Sequence, residues 1–130
     1  VQNVDPSKEL VICSMGQANR LLVRFLEQLK GFVNSFYHWG DLDRSGVLIL
    51  DSLRRRSGCD IQPLKMNSET FLANKDKGQP LSEEEKHRLE SLLRRRPDII
   101  CNDLLQTILA HNLWIEQENL SAIEPLPSEN

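Results

Sequence analysis

Three oxygen-bearing side chains stand at alternate positions in one short stretch, Asp41, Asp43 and Ser45, with Gly46 directly after them. Carboxylates and hydroxyls are hard donors, and alternate side chains of a turning loop can converge on one hard cation while a glycine takes the sharp turn. A looser set of donors, Asn74, Asp76 and Glu85, begins 33 residues after Asp41. Two cationic runs, Arg54-Arg55-Arg56 and Arg94-Arg95-Arg96, could hold phosphate, an acidic partner or membrane headgroups. At helix ends the same arginines also complement the helix dipole. Ser57 follows the first run in a basophilic kinase pattern, where a phosphate would add about −1.5 to −2 charge. His38, His87 and His111 do not cluster with Cys, Asp or Glu at a metal spacing. The chain carries no P-loop, dinucleotide-binding glycine pattern, nucleophile elbow or His-Glu-x-x-His. A non-catalytic chain is therefore expected.

The elements that must position these groups read as helical. Leu22, Phe25, Leu26, Leu29, Val33 and Phe36 recur at helical spacing and predict one long helix over 17–39, closed by Gly40. A short helix is expected over 7–15. Another is expected over 47–56, ended by Ser57-Gly58, although Val47-Leu48-Ile49-Leu50 also admits a very short strand. Residues 59–67 read as a linker and 67–73 as a short helix. Ser82 with Glu85 forms a capping box that opens a helix running to Arg95, since Pro97 cannot continue it. Asp98 can cap a last helix reaching residue 113. The fold class expected is all-α: four to five helices in one domain over 1–120, with a flexible acidic tail over 121–130.

Counted from Asp41, the stretch places Asp, Asp and Ser at positions 1, 3 and 5, Gly46 at 6, Val47 at 7 and Leu48 at 8. It resembles an EF-hand loop, and the second loop, 33 residues on, is spaced like its partner. The resemblance implies a calcium site in which Asp41, Asp43 and Ser45 give side-chain oxygens and Val47 a carbonyl, with Asn74, Asp76 and Glu85 as a weaker second set. Both loops depart from the pattern. Ser52 stands where a bidentate Glu belongs, and in the second loop Gly78 is one position early. Calcium binding is accordingly expected to be weak or lost. The competing reading is that Asp41 and Asp43 only make Asx turns between helices.

Composition bounds the function classes. At 130 residues the chain can bury a core without metals or disulfides, and 39% hydrophobic with 27% charged residues is a globular balance. The net charge of −3 argues against nucleic acid, and setting aside the four glutamates after Trp114 leaves the first 113 residues at +1. No apolar run reaches the roughly 20 residues of a membrane span. Cys13, Cys59 and Cys101 are scattered and odd in number, which suits buried thiols in a reducing cytoplasm. Val1 suggests a fragment of a longer protein. Trp114, with Ile115 and Leu120, either closes the core or docks a partner. The function expected is a non-catalytic interaction or regulatory module that receives a partner's amphipathic helix in an apolar groove. The alternative is a metal-independent helical adaptor or assembly subunit whose Arg-rich helix ends contact an acidic partner.

Overall fold

The computed structural model describes residues 9–13 and 19–120, with side chains from residue 19 onward. The acidic stretch 121–130 lies outside the described residues. The first half of the chain alternates strand and helix: β1 (Glu9–Cys13), α1 (Arg20–Leu29), β2 (Ser35–Trp39), α2 (Arg44–Ser57) and β3 (Ile61–Pro63). The three strands form one parallel sheet in the order β1-β2-β3. Glu9 pairs with Ser35 at one end of the register, and Cys13 with Trp39 at the other. The second half is mostly helical: α3 (Ser68–Ala73), α4 (Glu83–Arg95) and α5 (Asn102–His111). A two-stranded antiparallel ribbon, β4 (Gln79–Pro80) with β5 (Leu113–Trp114), joins the ends of that half.

The all-α expectation is therefore corrected to a mixed α/β fold. The helix expected over 17–39 is two elements. Asn19 caps α1 by accepting the Leu22 amide at 2.8 Å, and the helix ends at Leu29, before Gly31. The next element is the middle strand of the sheet, in which Phe36 and His38 are buried and Ser35, Tyr37 and Trp39 are half-buried. Burial alternates along this strand, but Phe36, Tyr37 and Trp39 put aromatic rings on both of its faces, so no apolar–polar alternation shows in the sequence and Phe36 continues the helical stripe by coincidence of spacing. The same ambiguity hides β1 inside the helix expected over 7–15, and β3 inside the expected linker. Pro63 is tolerated because β3 is an edge strand.

Two other local signals hold, but the cap expected at Asp98 does not: Pro97 and Asp98 lie in a turn, and α5 starts only at Asn102, with Cys101 at its N-cap and no side-chain cap. Ser82 accepts the Glu85 amide at 3.1 Å and opens α4, which ends at Arg95 as Pro97 requires. Gly58 closes α2 with φ at 71°, a left-handed conformation that favours glycine. The core lies between the helices and the sheet, where Leu26, Leu50, Ile61, Phe71, Leu104 and Ile108 are fully buried. Each such side chain contributes about 1.5–3 kcal/mol of hydrophobic stabilisation. Ile115 is also fully buried. It exchanges two backbone hydrogen bonds with Leu42, at 2.8 and 3.2 Å, which brings the C-terminal segment back to the junction between β2 and α2.

Candidate functional site

In a β-α-β arrangement the loops that leave the carboxyl ends of parallel strands are the usual place for ligands. The loop leaving the middle strand β2 is Gly40-Asp41-Leu42-Asp43, and α2 starts at Arg44. Asp43 is the N-cap of α2, and its Oδ1 accepts the Gly46 amide at 2.7 Å. Asp41 Oδ1 accepts the Gln117 amide, also at 2.7 Å, from the returning C-terminal segment. Both carboxylates are thus oriented through one oxygen by a backbone N–H, and their Oδ2 atoms make no hydrogen bond among the described residues. Gly46 is required here. A Cβ at that position would lie 2.1 Å from the Asp41 carbonyl oxygen, so only glycine lets the first turn of α2 close against the loop.

The electrostatics of this end are uneven. Burial pushes the Asp43 carboxyl up to about 6, and the charges of Asp41 and Glu85 push the same way, against the Gly46 amide and Arg44. Glu85 is at the site without being a free acid. Arg44 grips it with a two-pronged contact, Nη2 to Oε1 at 2.8 Å and Nε to Oε2 at 3.1 Å, which holds Glu85 below the usual carboxylate range. This pair ties the first turn of α2 to the first turn of α4. Upstream on β2, burial pulls the His38 imidazole down to about 4, so it is neutral at pH 7. Its Nδ1 lies 3.3 Å from the Met66 sulfur.

The EF-hand reading of these residues is corrected. Asp41 and Asp43 stand together, but the element before them is a strand. Ser45 is exposed in the first turn of α2, and buried Val47 lies in the same helix, so neither completes a loop around an ion. The second donor set is dispersed. Asn74 ends α3 and donates to the Thr70 carbonyl, Asp76 is exposed in a 3-10 turn, and Glu85 belongs to Arg44. Among the described residues, no group of three or more His, Cys, Asp or Glu is placed to hold a metal ion. The front half of the motif matches because a strand exit with an Asp cap and a close-packed glycine uses the residue types of a calcium loop.

The arginine runs behave differently from one another. Arg54 bonds the Ile61 carbonyl at 2.6 Å and Asp60 at 3.2 Å. Arg55 and Arg96 share Asp51: Arg55 Nε donates at 2.9 Å, and Arg96 forks onto both carboxylate oxygens at 3.1 and 3.2 Å. Burial works to raise the Asp51 pKa, yet the Arg96 and Arg55 contacts outweigh it and leave it lowered. Arg56, Arg94 and Arg95 are exposed. Asp51 is a residue that the sequence reading misses, although Asp51 and Arg55 at i, i+4 are a readable helical pair. The Gln117 amide could not have been foreseen, since it is a backbone group 76 residues from its acceptor. Trp114 is half-buried in β5, beside Ile115, which is fully buried in the core. Cys101 has its thiol pushed up to about 12 by burial, with Asp103 adding to the effect, as suits an inert cysteine.

These features define an α/β domain with a small parallel sheet, an acidic pair at the carboxyl end of its middle strand and a helical second half. The family model that matches is described as Wadjet protein JetD, C-terminal, and it covers residues 1–125, so the chain belongs to that family. The match is to this family and not to an EF-hand family, which removes the remaining basis for the calcium-loop resemblance. No curated protein matches the chain. Among the described residues, no helix is long and apolar enough to cross a membrane.

Proposed function

We propose that, within a Wadjet system, this domain offers a divalent-cation site at the carboxyl end of its sheet, formed by Asp41 and Asp43, that engages a phosphate-bearing ligand. One observation carries the reading. Two carboxylates on the loop after the middle parallel strand lie near enough for the charge of Asp41 to act on Asp43, each already aimed by a backbone amide, with the second oxygen of each unclaimed among the described residues. Two carboxylates are a sparse ligand set, but magnesium-type cations are commonly held by one or two carboxylates together with water and a ligand's phosphates. A bound cation would supply positive charge to phosphate oxygens. The chain's own part is to orient both acids and to keep Arg44 and Glu85 neutralising each other beside them.

The test is calorimetric titration with Mg²⁺, Mn²⁺ and Ca²⁺, with and without a phosphodiester ligand, on the wild type and on Asp41→Ala. Binding that disappears in the variant supports the site, and silence with all three cations overturns it. Turnover of the phosphodiester would make this end a phosphoryl-transfer site. Binding without turnover would make it a cation-dependent docking site.

A second reading is a non-catalytic, metal-independent assembly subunit in a reducing cytoplasm, with Arg-rich helix ends turned to an acidic protein partner. It is favoured by a separate observation, the convergence of the two arginine runs on Asp51. Partner binding that persists in chelator and is lost when exposed arginines are reversed would support it.

A further inference from the structure

The loop that leaves β3 stands beside the loop that carries the acid pair. β2 and β3 are parallel, with Phe36 opposite Ile61 and His38 opposite Pro63. The Leu64 amide donates to the His38 carbonyl at 2.8 Å and carries the ladder one step further. Parallel neighbours run about 4.8 Å apart, so the same register brings the Lys65 backbone beside Gly40, the residue before Asp41. Both loops thus lie at the carboxyl end of the sheet, where ligands of parallel sheets are usually held.

Lys65 has φ at 62°, a left-handed conformation that is uncommon for a long side chain. The residues around it impose that conformation. Leu64 is tied to His38 through the backbone, and Met66 is buried with its sulfur 3.3 Å from His38 Nδ1. Asn67, next in the chain, caps α3 by accepting the Thr70 amide at 2.7 Å. The chain must turn between these fixed points, and Lys65 takes the strain. Glycine or asparagine would make the same turn at less cost, so the backbone gives no reason for a lysine. The side chain does give one. Lys65 is half-buried, and its ammonium makes no hydrogen bond or ion pair among the described residues. A partly desolvated charge without a partner costs free energy that an anion relieves. Arg44, the nearest cation in sequence to the acid pair, is already engaged by Glu85. Strain of this kind collects at ligand sites.

We infer that Lys65 is the anion contact of this end of the sheet: its ammonium binds one nonbridging oxygen of a phosphodiester while the cation held by Asp41 and Asp43 meets the other. This rests on the cation-site reading and adds to it a requirement on the ligand. A phosphodiester, which keeps its negative charge, is accepted, and the neutral triester of the same shape is not. Lysine suits the task because its charge is compact and its three N–H donors turn on a flexible stem, so it can follow a phosphate from the neighbouring strand. Lys65 supplies no oxygen to a cation, so its part is to select the ligand and not to hold the metal.

The experiment measures, by calorimetry on the full chain, the affinity for Mn²⁺ alone and then for bis(p-nitrophenyl) phosphate at saturating Mn²⁺. The methyl ester of that diester is the neutral control. The wild type is expected to bind the diester and to bind the neutral ester far more weakly. Lys65→Asn tolerates the left-handed backbone and removes the charge. It should weaken diester binding by about tenfold, the low end for a charge-assisted contact because the site is half exposed. It should not weaken Mn²⁺ binding, and it should melt no lower than the wild type, which separates lost contact from lost fold. Lys65→Arg keeps the charge and should keep most of the diester affinity, whereas a purely structural lysine would be replaced better by Asn than by Arg. If the wild type binds Mn²⁺, the inference alone is overturned by any of four results: no diester binding, equal binding of diester and neutral ester, wild-type diester affinity in Lys65→Asn, or weakened Mn²⁺ binding in that variant. No Mn²⁺ binding to the wild type would overturn the cation-site reading beneath it, whatever the lysine variants do.

Discussion

Asp43 shows how one residue serves structure and site at once. Its Oδ1 caps α2, yet its folded-state pKa is raised from 3.8 to about 6, mainly by burial. The folded chain therefore holds that proton more tightly than the unfolded chain. The contribution is most favourable below pH 3.8 and is lost as pH rises through about 6. Asp43→Asn keeps a good capping residue and removes the titration. It should raise stability at neutral pH and flatten the pH dependence across that window, as read by denaturant unfolding at several pH values. Unchanged pH dependence would show that burial does not penalise the Asp43 carboxylate. Gly46 is the other residue-scale test. Gly46→Ala forces a Cβ into the Asp41 carbonyl, and the loop or the helix start must move. A loss of about 1–3 kcal/mol in unfolding free energy is expected, as for overpacking elsewhere. The sequence marks this glycine and both aspartates, but the physical reason differs: Gly46 admits a close backbone approach rather than a calcium-loop turn.

At the scale of elements, the helices with chemical end signals are legible and the short strands are not. Asn67, Ser82, Gly58 and Pro97 each act through a local mechanism that a sequence exposes: caps, a left-handed stop and a missing donor. The strands depend on partners far away in the chain. Phe36 pairs in register with Leu10 and Ile61, and nothing near Phe36 in sequence announces either. The clamp of α2 to α4 has the same non-local character. Arg44–Glu85 and Asp51–Arg96 hold the two helices together at two levels, across 41 and 45 residues of sequence. Asp51→Ala leaves both Arg55 and Arg96 without their carboxylate and should cost about 1–3 kcal/mol in unfolding free energy. The Asp51 pKa is lowered on folding, so its contribution is present above 3.8 and fades as pH falls through the folded value. The gap between wild type and Asp51→Ala should accordingly narrow in acid, which acid-range unfolding curves would measure.

The whole molecule is electrically polarised by its topology. In the β-α-β half, the starts of the helices and the acidic pair gather at the carboxyl ends of the strands, and the ends of the helices, with Lys30 and Arg54–Arg56, gather at the opposite side. A net charge of −3 conceals this separation, and for that reason composition can bound the partner classes without placing them. Arg94→Glu with Arg95→Glu, which touches neither carboxylate, should leave cation binding unchanged. Cation binding should also stabilise the fold, by about 2.7 kcal/mol at a hundredfold excess over Kd, visible as a concentration-dependent melting temperature. Mn²⁺ titration of the wild-type chain and of Asp41→Ala by calorimetry tests the cation site itself. Saturable binding to the wild type that is lost in the variant is the predicted result. Equal heats from the two proteins, or none from either, would contradict the assignment of the carboxyl end of the sheet as a cation site.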